Sequence, residues 1–528
     1  MTLFLASLSV LFMLLLPIGL AMALRRRVAV PWTYFCVGIL TFIGSQVVHI
    51  PLNNWLTDLG LLDPTASAGA SWVRTVLLLG FTAGLCEETA RAIGYWLLAR
   101  RNKGKGLADG IMLGLGHGGI EAMLFGAVLV AASLTSLLAL QGQDLDSLNL
   151  PADQLEAVRL QLAQLTATPW AVFLPAWERL IAVGLHVTLS VMVWQAFRRR
   201  NMAYVVLAIL WHTAVNAGLV ALLRIIPETW QLELIFTLIT IPGLVWVWRL
   251  WQKEKEEGRV IAAAPIPVRT SLALLGTAIR KELLQQWRTR RILVVGAVFF
   301  VFGLISPLLA YATPQILRSI EGAEQFAELI PTPSTVDALM QYIENITQFG
   351  FILAVLLGMG AVAGEKEHGT AAMILSKPLP RWAFILSKFV AQALVYLLAF
   401  IVAALGAYYY TWILFEPLQL GPFLLGNGLL FIWLLTFAGM TLLASTVAKS
   451  TSAAAGLALL MAILLLIGGS LPNIGALFPG GLIAWASTLG LAGVAAAANG
   501  GSLTASLVLI LISLLTAIAL FDNQELAS

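Results

Sequence analysis

Several apolar stretches of this chain carry ionisable side chains at depths where such groups are rarely found. One holds Glu87, Glu88 and Arg91, a second His117 and Glu121, a third Glu178, Arg179 and His186, and a fourth His212 and Asn216. Charged groups inside a membrane span are costly and call for partners or a task. A buried carboxylate beside an imidazole can take a proton from water. A second imidazole and an amide can donate hydrogen bonds to the oxyanion that forms on a peptide carbonyl. Together these are the parts of a hydrolase that needs no serine or cysteine nucleophile. The same side chains admit two other readings. His117, His186 and His212 with one Glu would make a zinc shell, although no His-Glu-x-x-His helix is present. A row of intramembrane acids and imidazoles also serves as a proton or ion pathway.

Spacing puts these groups on common faces and at a common depth. Glu87 and Arg91, His117 and Glu121, and His212 and Asn216 are each four residues apart, so each pair shares one helix face. Glu88 stands 12 residues from Arg100, His117 12 from Lys105, His186 12 from Arg198 and His212 12 from Arg200. At 1.5 Å per residue each lies roughly 18 Å along its helix from that basic boundary. Glu178 and Arg179 lie nearer the opposite surface and read as a structural ion pair. His49, beside Pro51 at the end of a span, reads as interfacial.

The elements that must position these groups are membrane-spanning helices. Of 528 residues 59% are hydrophobic and 11% charged, too few charges to cover a soluble protein of this size. The apolar residues come in blocks of bilayer length. The first half reads as seven spans, near 3–24, 28–50, 72–99, 107–130, 170–197, 203–223 and 232–251. The second reads as six, near 292–311, 349–363, 382–415, 423–447, 453–467 and 503–521. A Gly-rich stretch over 468–501 is expected to dip into the membrane without crossing. The fold class is therefore an all-α polytopic membrane protein of about 13 transmembrane helices in two bundles, seven plus six. The expected domains are 1–252 and 272–528, joined by a charged, Ala- and Pro-containing cytoplasmic linker over 253–271.

Basic clusters at Arg25–Arg27, Arg100–Lys105, Arg198–Arg200 and Arg249–Lys255 all fall on one side if the N-terminus is outside, which makes that side cytoplasmic and puts the C-terminus there too. The formal charge of +4 resides in these topology signals and gives no reason to invoke nucleic acid. Arg25–Arg27 follow the first apolar block instead of preceding it, so that block reads as a retained span. Between 141 and 169, Leu155, Val158, Leu162 and Leu165 recur at helical spacing, as in a helix resting on the outer surface. Two cysteines, Cys36 and Cys86, offer neither a disulfide framework nor a cysteine zinc site.

The strings Cys86-Glu87-Glu88-Thr89-Ala90-Arg91, Gly116-His117-Gly118-Gly119-Ile120-Glu121-Ala122, Glu178-Arg179 with His186, and His212 with Asn216 resemble the YhfC-type intramembrane proteases. That group is similar to the glutamic CAAX-prenyl and bacteriocin-processing membrane proteases. The resemblance covers about residues 1–250. It implies that Glu87 is the base, His117 its assistant, and His212 and Asn216 the oxyanion donors. Glu88, Arg91, Glu121, His186, Glu178 and Arg179 are left as supporting groups. Two residues, where the prenyl-protease pattern has three, separate the Glu pair from Arg91. No cofactor is expected on this reading, with zinc as the alternative. The implied substrate is a peptide or a membrane protein.

In the second half, Glu365, Glu367, Gly369 and Thr370, followed by Pro378 and Arg381 and then Lys388, form a short charged segment between two spans. This segment resembles the signature loop of ABC type-2 permeases, a family that also has six spans and an interfacial helix before them. The resemblance covers about residues 272–525. It implies that these residues couple to a separate cytoplasmic ABC ATPase, that such permeases work as pairs, so a homodimer, and that the home is the bacterial cytoplasmic membrane. The chain has no G-x-x-x-x-G-K-[ST] phosphate loop of its own. The joint expectation is a fusion of an intramembrane endopeptidase with an export permease.

Overall fold

The computed structural model describes the chain except residues 1, 64, 67, 102, 105, 141–154, 157, 160–161, 164–168, 227, 260–267, 319–331, 473, 493–497 and 526–528. Among the described residues it is an all-α protein with 13 helices long and apolar enough to cross a membrane. The chain divides into two compact units. The first comprises Met1–Ala131 and Gln141–Pro265; the second comprises Ala132–Leu140 and Ile266–Ser528.

The first unit contains α1 (Thr2–Arg27), α2 (Trp32–Asp58), α3 (Gly69–Arg100) and α4 (Leu107–Glu121). A π-helical turn, Ala122–Val128, leads from α4 into α5 (Leu129–Leu140), whose residues Ala132–Leu140 belong to the second unit. Then come α6 (Leu174–Arg199), α7 (Ala203–Leu222) and α8 (Thr229–Glu256). Helix α2 packs on α3 and α4, α3 on α7, and α4 on α6. Small residues allow these close crossings, as membrane bundles require. A Cβ on Gly38 would come within 2.1 Å of the Leu113 carbonyl oxygen, and one on Gly116 within 2.0 Å of that of Phe35. α3 closes on α7 in the same way at Gly80 and Gly84.

Two features of this unit differ from the sequence reading. Helix α2 does not stop at Ile50: it continues through Pro51 to Asp58. His49 is therefore a mid-helix residue, bonded to Asn53 and facing Thr82. The fourth span is not one regular helix, because the π turn begins directly after Glu121 and resets the face presented by the residues that follow. Of the surface helix expected over 141–169, Leu155, Glu156, Val158, Arg159, Leu162 and Ala163 are helical, with the three aliphatic positions half-buried. Leu165 and the other residues of 141–168 lie outside the described residues, as does Lys105.

The second unit begins with α9 (Val268–Arg288), whose charged and apolar residues alternate at helical spacing. It continues with α10 (Arg291–Arg318), α11 (Thr335–Gly358), the short α12 (Ala363–Glu367) and α13 (Thr370–Leu375), α14 (Arg381–Leu414), α15 (Leu420–Val447), α16 (Thr451–Gly469), α17 (Gly480–Ala492) and α18 (Gly500–Asp522). Starts are capped by polar side chains. Ser334 and Asp337 form a capping box on α11, Ser450 caps α16 and Asn499 caps α18. The core lies around Trp433, Phe437, Tyr342, Tyr396 and Phe299, all nearly inaccessible. Helix α17, within the Gly-rich stretch, has 13 residues, which is about 20 Å and short of a hydrocarbon core.

Candidate functional site

The polar layer of the first unit is built from four helices. α3 contributes Glu87, Glu88 and Arg91, α4 His117 and Glu121, α6 His186 and Arg179, and α7 His212. Glu87, Glu88, Arg91, His117, His186 and His212 are all buried, and Glu88, Arg91 and His117 have no exposed surface. The ring centres of His117 and His186 are 5.2 Å apart, and those of His186 and His212 are 5.5 Å apart. The residues singled out by type and spacing thus meet.

The hydrogen bonds give the adjacent carboxylates separate surroundings. Glu88 is tied down: its Oε1 accepts from Arg91 Nη1 and, at 2.9 Å, from His212 Nδ1. Glu87 lies beside the imidazole of the next helix, with Oε2 3.1 Å from His117 Nε2 and 3.9 Å from Arg91 Nη2.

The state of His117 follows from a residue that the sequence reading passed over. The Thr41 hydroxyl donates to the Gly38 carbonyl at 2.7 Å and lies 2.9 Å from His117 Nδ1. A hydroxyl has one proton, so His117 Nδ1–H donates to Thr41. In the neutral ring, Nε2 then carries a lone pair aimed at the Glu87 carboxylate. Two acceptors 3.1 Å apart require a proton or a cation between them. Phe42 packs edge-on against the same ring and holds its plane.

His186 is engaged on both sides. Arg91 Nη2 donates to its Nδ1 at 2.6 Å, and its Nε2 lies in close contact with Glu121 Oε2. With Nδ1 accepting, the ring carries its proton on Nε2, on the side of Glu121. Glu121 Oε1 accepts from Arg179 at 2.9 Å, and Arg179 also binds Glu178. The expected structural pair Glu178–Arg179 is therefore the outer end of a chain reaching Glu121, His186, Arg91, Glu88 and His212. Asn216 lies one turn beyond His212, half-buried, with no side-chain partner among the described residues. In this layer the buried Glu88 Oε2 and Arg91 Nε lack hydrogen-bond partners. Such atoms are uncommon in a packed interior.

The donors present fit a zinc ion. Ligand atoms of Glu87, His117 and His186 lie within 4.8 Å of one another. Thr41 holds His117 in the tautomer that leaves Nε2 free, as an outer-shell partner of a metal-bound imidazole does. This grouping differs from the three-histidine shell considered from sequence. Glu87 takes the third place, and His212 turns its Nδ1 to Glu88.

The two halves of the chain match different known families. Residues 12–236 match the family described as YhfC intramembrane metalloprotease, and residues 277–526 the family described as ABC-2 family transporter protein. The chain joins a YhfC domain to an ABC-2 permease domain. The YhfC membrane protein of Bacillus subtilis (strain 168), described as uncharacterized, is 27% identical over 236 residues, 44% of this chain and 90% of that protein. The uncharacterized transmembrane protein YxlG of the same strain is 28% identical over 178 residues, 34% of this chain and 69% of YxlG. The probable ABC transporter permease protein NosY of Stutzerimonas stutzeri is 29% identical over 187 residues, 34% of this chain and 62% of NosY.

In the permease domain the signature segment is only partly a free surface. Glu365 is 8% exposed and turns inward. It faces Lys388 at 2.8 Å and Lys281 at 3.0 Å, and Lys388 also donates to Glu282 at 3.0 Å. This four-residue clamp joins α9, α12 and α14. Burial opposes the charge on Glu282, but the ammonium groups of Lys388 and Lys281 outweigh it and hold its carboxyl below the usual carboxylate range. Arg381 is half-buried and also turned inward: its Nη1 donates to the carbonyls of Phe521, Asp522 and Gln524 and closes the end of α18. Glu367 accepts from the backbone N–H and the hydroxyl of Thr451 at the start of α16. Gly369 takes a left-handed backbone, φ 69°, between α12 and α13, and the Thr370 hydroxyl bonds the Glu365 carbonyl. Pro378 remains exposed, together with His368, Met373 and Lys377.

Proposed function

We propose that the YhfC domain is an intramembrane peptide hydrolase whose reacting centre is the Glu87–His117 pair. The observation that carries this reading is the buried approach of Glu87 Oε2 to the free side of His117, 3.1 Å away. Glu87 is the group placed to receive a proton from water, with His117 as its partner. Glu88 serves otherwise: bound by Arg91 and His212, it fixes the ring of His212. Asn216 supplies an amide donor on the oxyanion side, and His212 donates there from Nε2 when both ring nitrogens are protonated.

Glu87, His117 and His186 would hold a zinc ion, and His186 would then give up its bond from Arg91 or its contact with Glu121. Bound there, zinc would supply Lewis acidity toward a peptide carbonyl and toward water. A metal-free glutamic site is the second reading, favoured by the saturation of His186. Purified protein in liposomes with a membrane-spanning peptide tests both. Cleavage abolished by a zinc chelator and by Glu87→Gln supports the metal site. Cleavage that resists the chelator but not Glu87→Gln supports the glutamic site. Cleavage unaffected by Glu87→Gln and His117→Ala overturns the hydrolase reading. Proton uptake in liposomes without cleavage would favour an ion pathway along the Glu178–His212 chain.

For the second domain, we propose the membrane subunit of an ABC exporter, working with a separate cytoplasmic ATPase and as a homodimer. The distribution of Lys and Arg supports an N-terminus outside and a C-terminus in the cytoplasm. On this reading the ATPase docks on the exposed part of the signature segment, His368, Met373, Lys377 and Pro378, while Glu365 and Arg381 brace it from within. Co-purification with an ABC ATPase, lost on Met373→Glu, is the expected result; unchanged recovery of the complex would move the docking site elsewhere.

A further inference from the structure

The hydrolase reading uses α2 only for Thr41, yet α2 carries a second row of polar groups that ends on Glu87. Thr41, Ser45, His49 and Asn53 recur every four residues on one face, with Gln46 beside them. Gln46, His49 and Asn53 are half-buried, and Thr82 of α3, which faces them, is 4% exposed.

The donors in this row have a single consistent direction. The Thr82 hydroxyl gives its one proton to Asn53 Oδ1 at 2.8 Å, the shortest of its contacts. Asn53 Nδ2 donates to His49 Nε2 at 3.0 Å. That leaves the His49 proton on Nδ1, which lies 3.4 Å from Gln46 Oε1. Gln46 Nε2 in turn donates to Glu87 Oε1 and to the Ser45 hydroxyl, both at 3.4 Å. Each group accepts from the one before and donates to the next, and the last acceptor is the Glu87 oxygen that does not face His117. The outer links are of ordinary length. The inner links are long, a state from which hydrogen bonds at reacting centres tighten when substrate arrives.

We propose that His49 is a positioning residue for Glu87, acting through Gln46 to hold Oε1 and so aim Oε2 at His117. This rests on the hydrolase reading above. It assigns a task to a histidine that touches none of the reacting groups. It also accounts for the run of α2 through Pro51, since His49, Asn53 and Thr82 must lie on one continuous face pair for the row to close.

The test uses the full-length protein in liposomes, with four variants: His49→Leu, His49→Asn, Gln46→Leu and the double variant His49→Leu/Gln46→Leu. Three quantities are read: cleavage of a membrane-spanning peptide, zinc affinity by competition, and the Glu87 carboxyl bands in infrared difference spectra against Glu87→Gln. Loss of an outer-shell partner lowers activity or metal affinity by about 10- to 100-fold. His49→Leu is expected to fall in that range through kcat with little change in KM, and to shift the Glu87 bands. His49→Asn, which keeps a donor near the place of Nδ1, is expected to recover most of the loss. The double variant is expected to be no worse than Gln46→Leu, because the effect passes through Gln46. Equal defects in His49→Asn and His49→Leu, or additive losses in the double variant, overturn the proposal. If the wild type neither cleaves nor binds zinc, the hydrolase reading fails. The infrared shift then still decides whether His49 reaches Glu87: bands unmoved by His49→Leu sink the inference on their own.

Discussion

The two domains each bury a cluster of charges, and they resolve it by different chemistry. In the permease domain the buried cation is an ammonium: Lys388, 2% exposed, lies between Glu282 and Glu365 and over the Phe384 ring. An ammonium only donates, so it joins two carboxylates and ends the network. In the YhfC domain the partners of Glu87, Glu88 and Glu121 include three imidazoles. An imidazole both donates and accepts, so each ring passes the question of its proton to the next group. The first arrangement fastens α9, α12 and α14 together. The second leaves His117 Nε2 facing Glu87 with the proton or cation between them undecided. On the proposed hydrolase reading, the difference separates a clamp from a reacting centre: reactivity would go with groups that can exchange protons or ligands, not with buried charge as such.

The comparison breaks most sharply at the proposed reacting pair. Glu87→Gln or His117→Ala is expected to lower peptide cleavage by about 10²- to 10⁴-fold, with melting in detergent little changed; a fall in stability matching the fall in activity would make the pair structural. Lys388→Met is the counterpart in the clamp. It leaves two buried carboxylates sharing the partly exposed Lys281 and is expected to cost up to about 3–5 kcal/mol, read as a lower unfolding midpoint, with recovery when Glu282→Gln and Glu365→Gln are added. Thr41→Val leaves His117 without the acceptor that sets its tautomer. A drop of about 10- to 100-fold in zinc affinity is expected, with Thr41→Ser close to wild type; equal values for Val and Ser would show that Thr41 only fills space.

The smallest effect expected is a pH dependence of the clamp. The folded pKa of Glu282 is depressed, so its contribution to stability is complete above the unfolded carboxylate value near pH 4.3. That contribution is lost as pH falls through the lower folded value. Lys281 is shifted the opposite way. Burial opposes its charge, but Glu282 and Glu365 outweigh that and raise its pKa; this part holds below the unfolded lysine value and fades as pH rises through the folded one. Acid titration of unfolding should therefore show a step in the wild type that Glu282→Gln removes. A step that persists in the variant would assign it to another carboxylate.

Much of the scaffold was legible in advance because a bilayer imposes length and polarity on every span. Thirteen apolar blocks, the two bundles' worth of helices and the layer holding Glu87, Glu88, Arg91, His117, His186 and His212 all follow from residue type and spacing. Thr41 and His49 were harder to see. A threonine in an apolar helix satisfies its own i−3 carbonyl and signals nothing locally, and a histidine next to a proline looks like a span end. The four-residue repeat from Thr41 to Asn53 was the available signal. Glu365 and Arg381 misled in the other direction, since a charged loop beside a span reads as exposed until its partners on α9, α14 and α18 are known.

Sequence by itself determined that this chain lives in a membrane and which side chains had to avoid lipid together, because hydrocarbon penalises every unpaired charge regardless of fold. Only the tertiary structure decided what each of those side chains does. Glu87 and Glu88 are neighbours of one type, yet one faces a free imidazole lone pair and the other is bound by Arg91 and His212. That distinction depends on hydrogen bonds from α2, α4 and α7, and the direction of a hydrogen bond is a property of both partners, which no single stretch of chain contains.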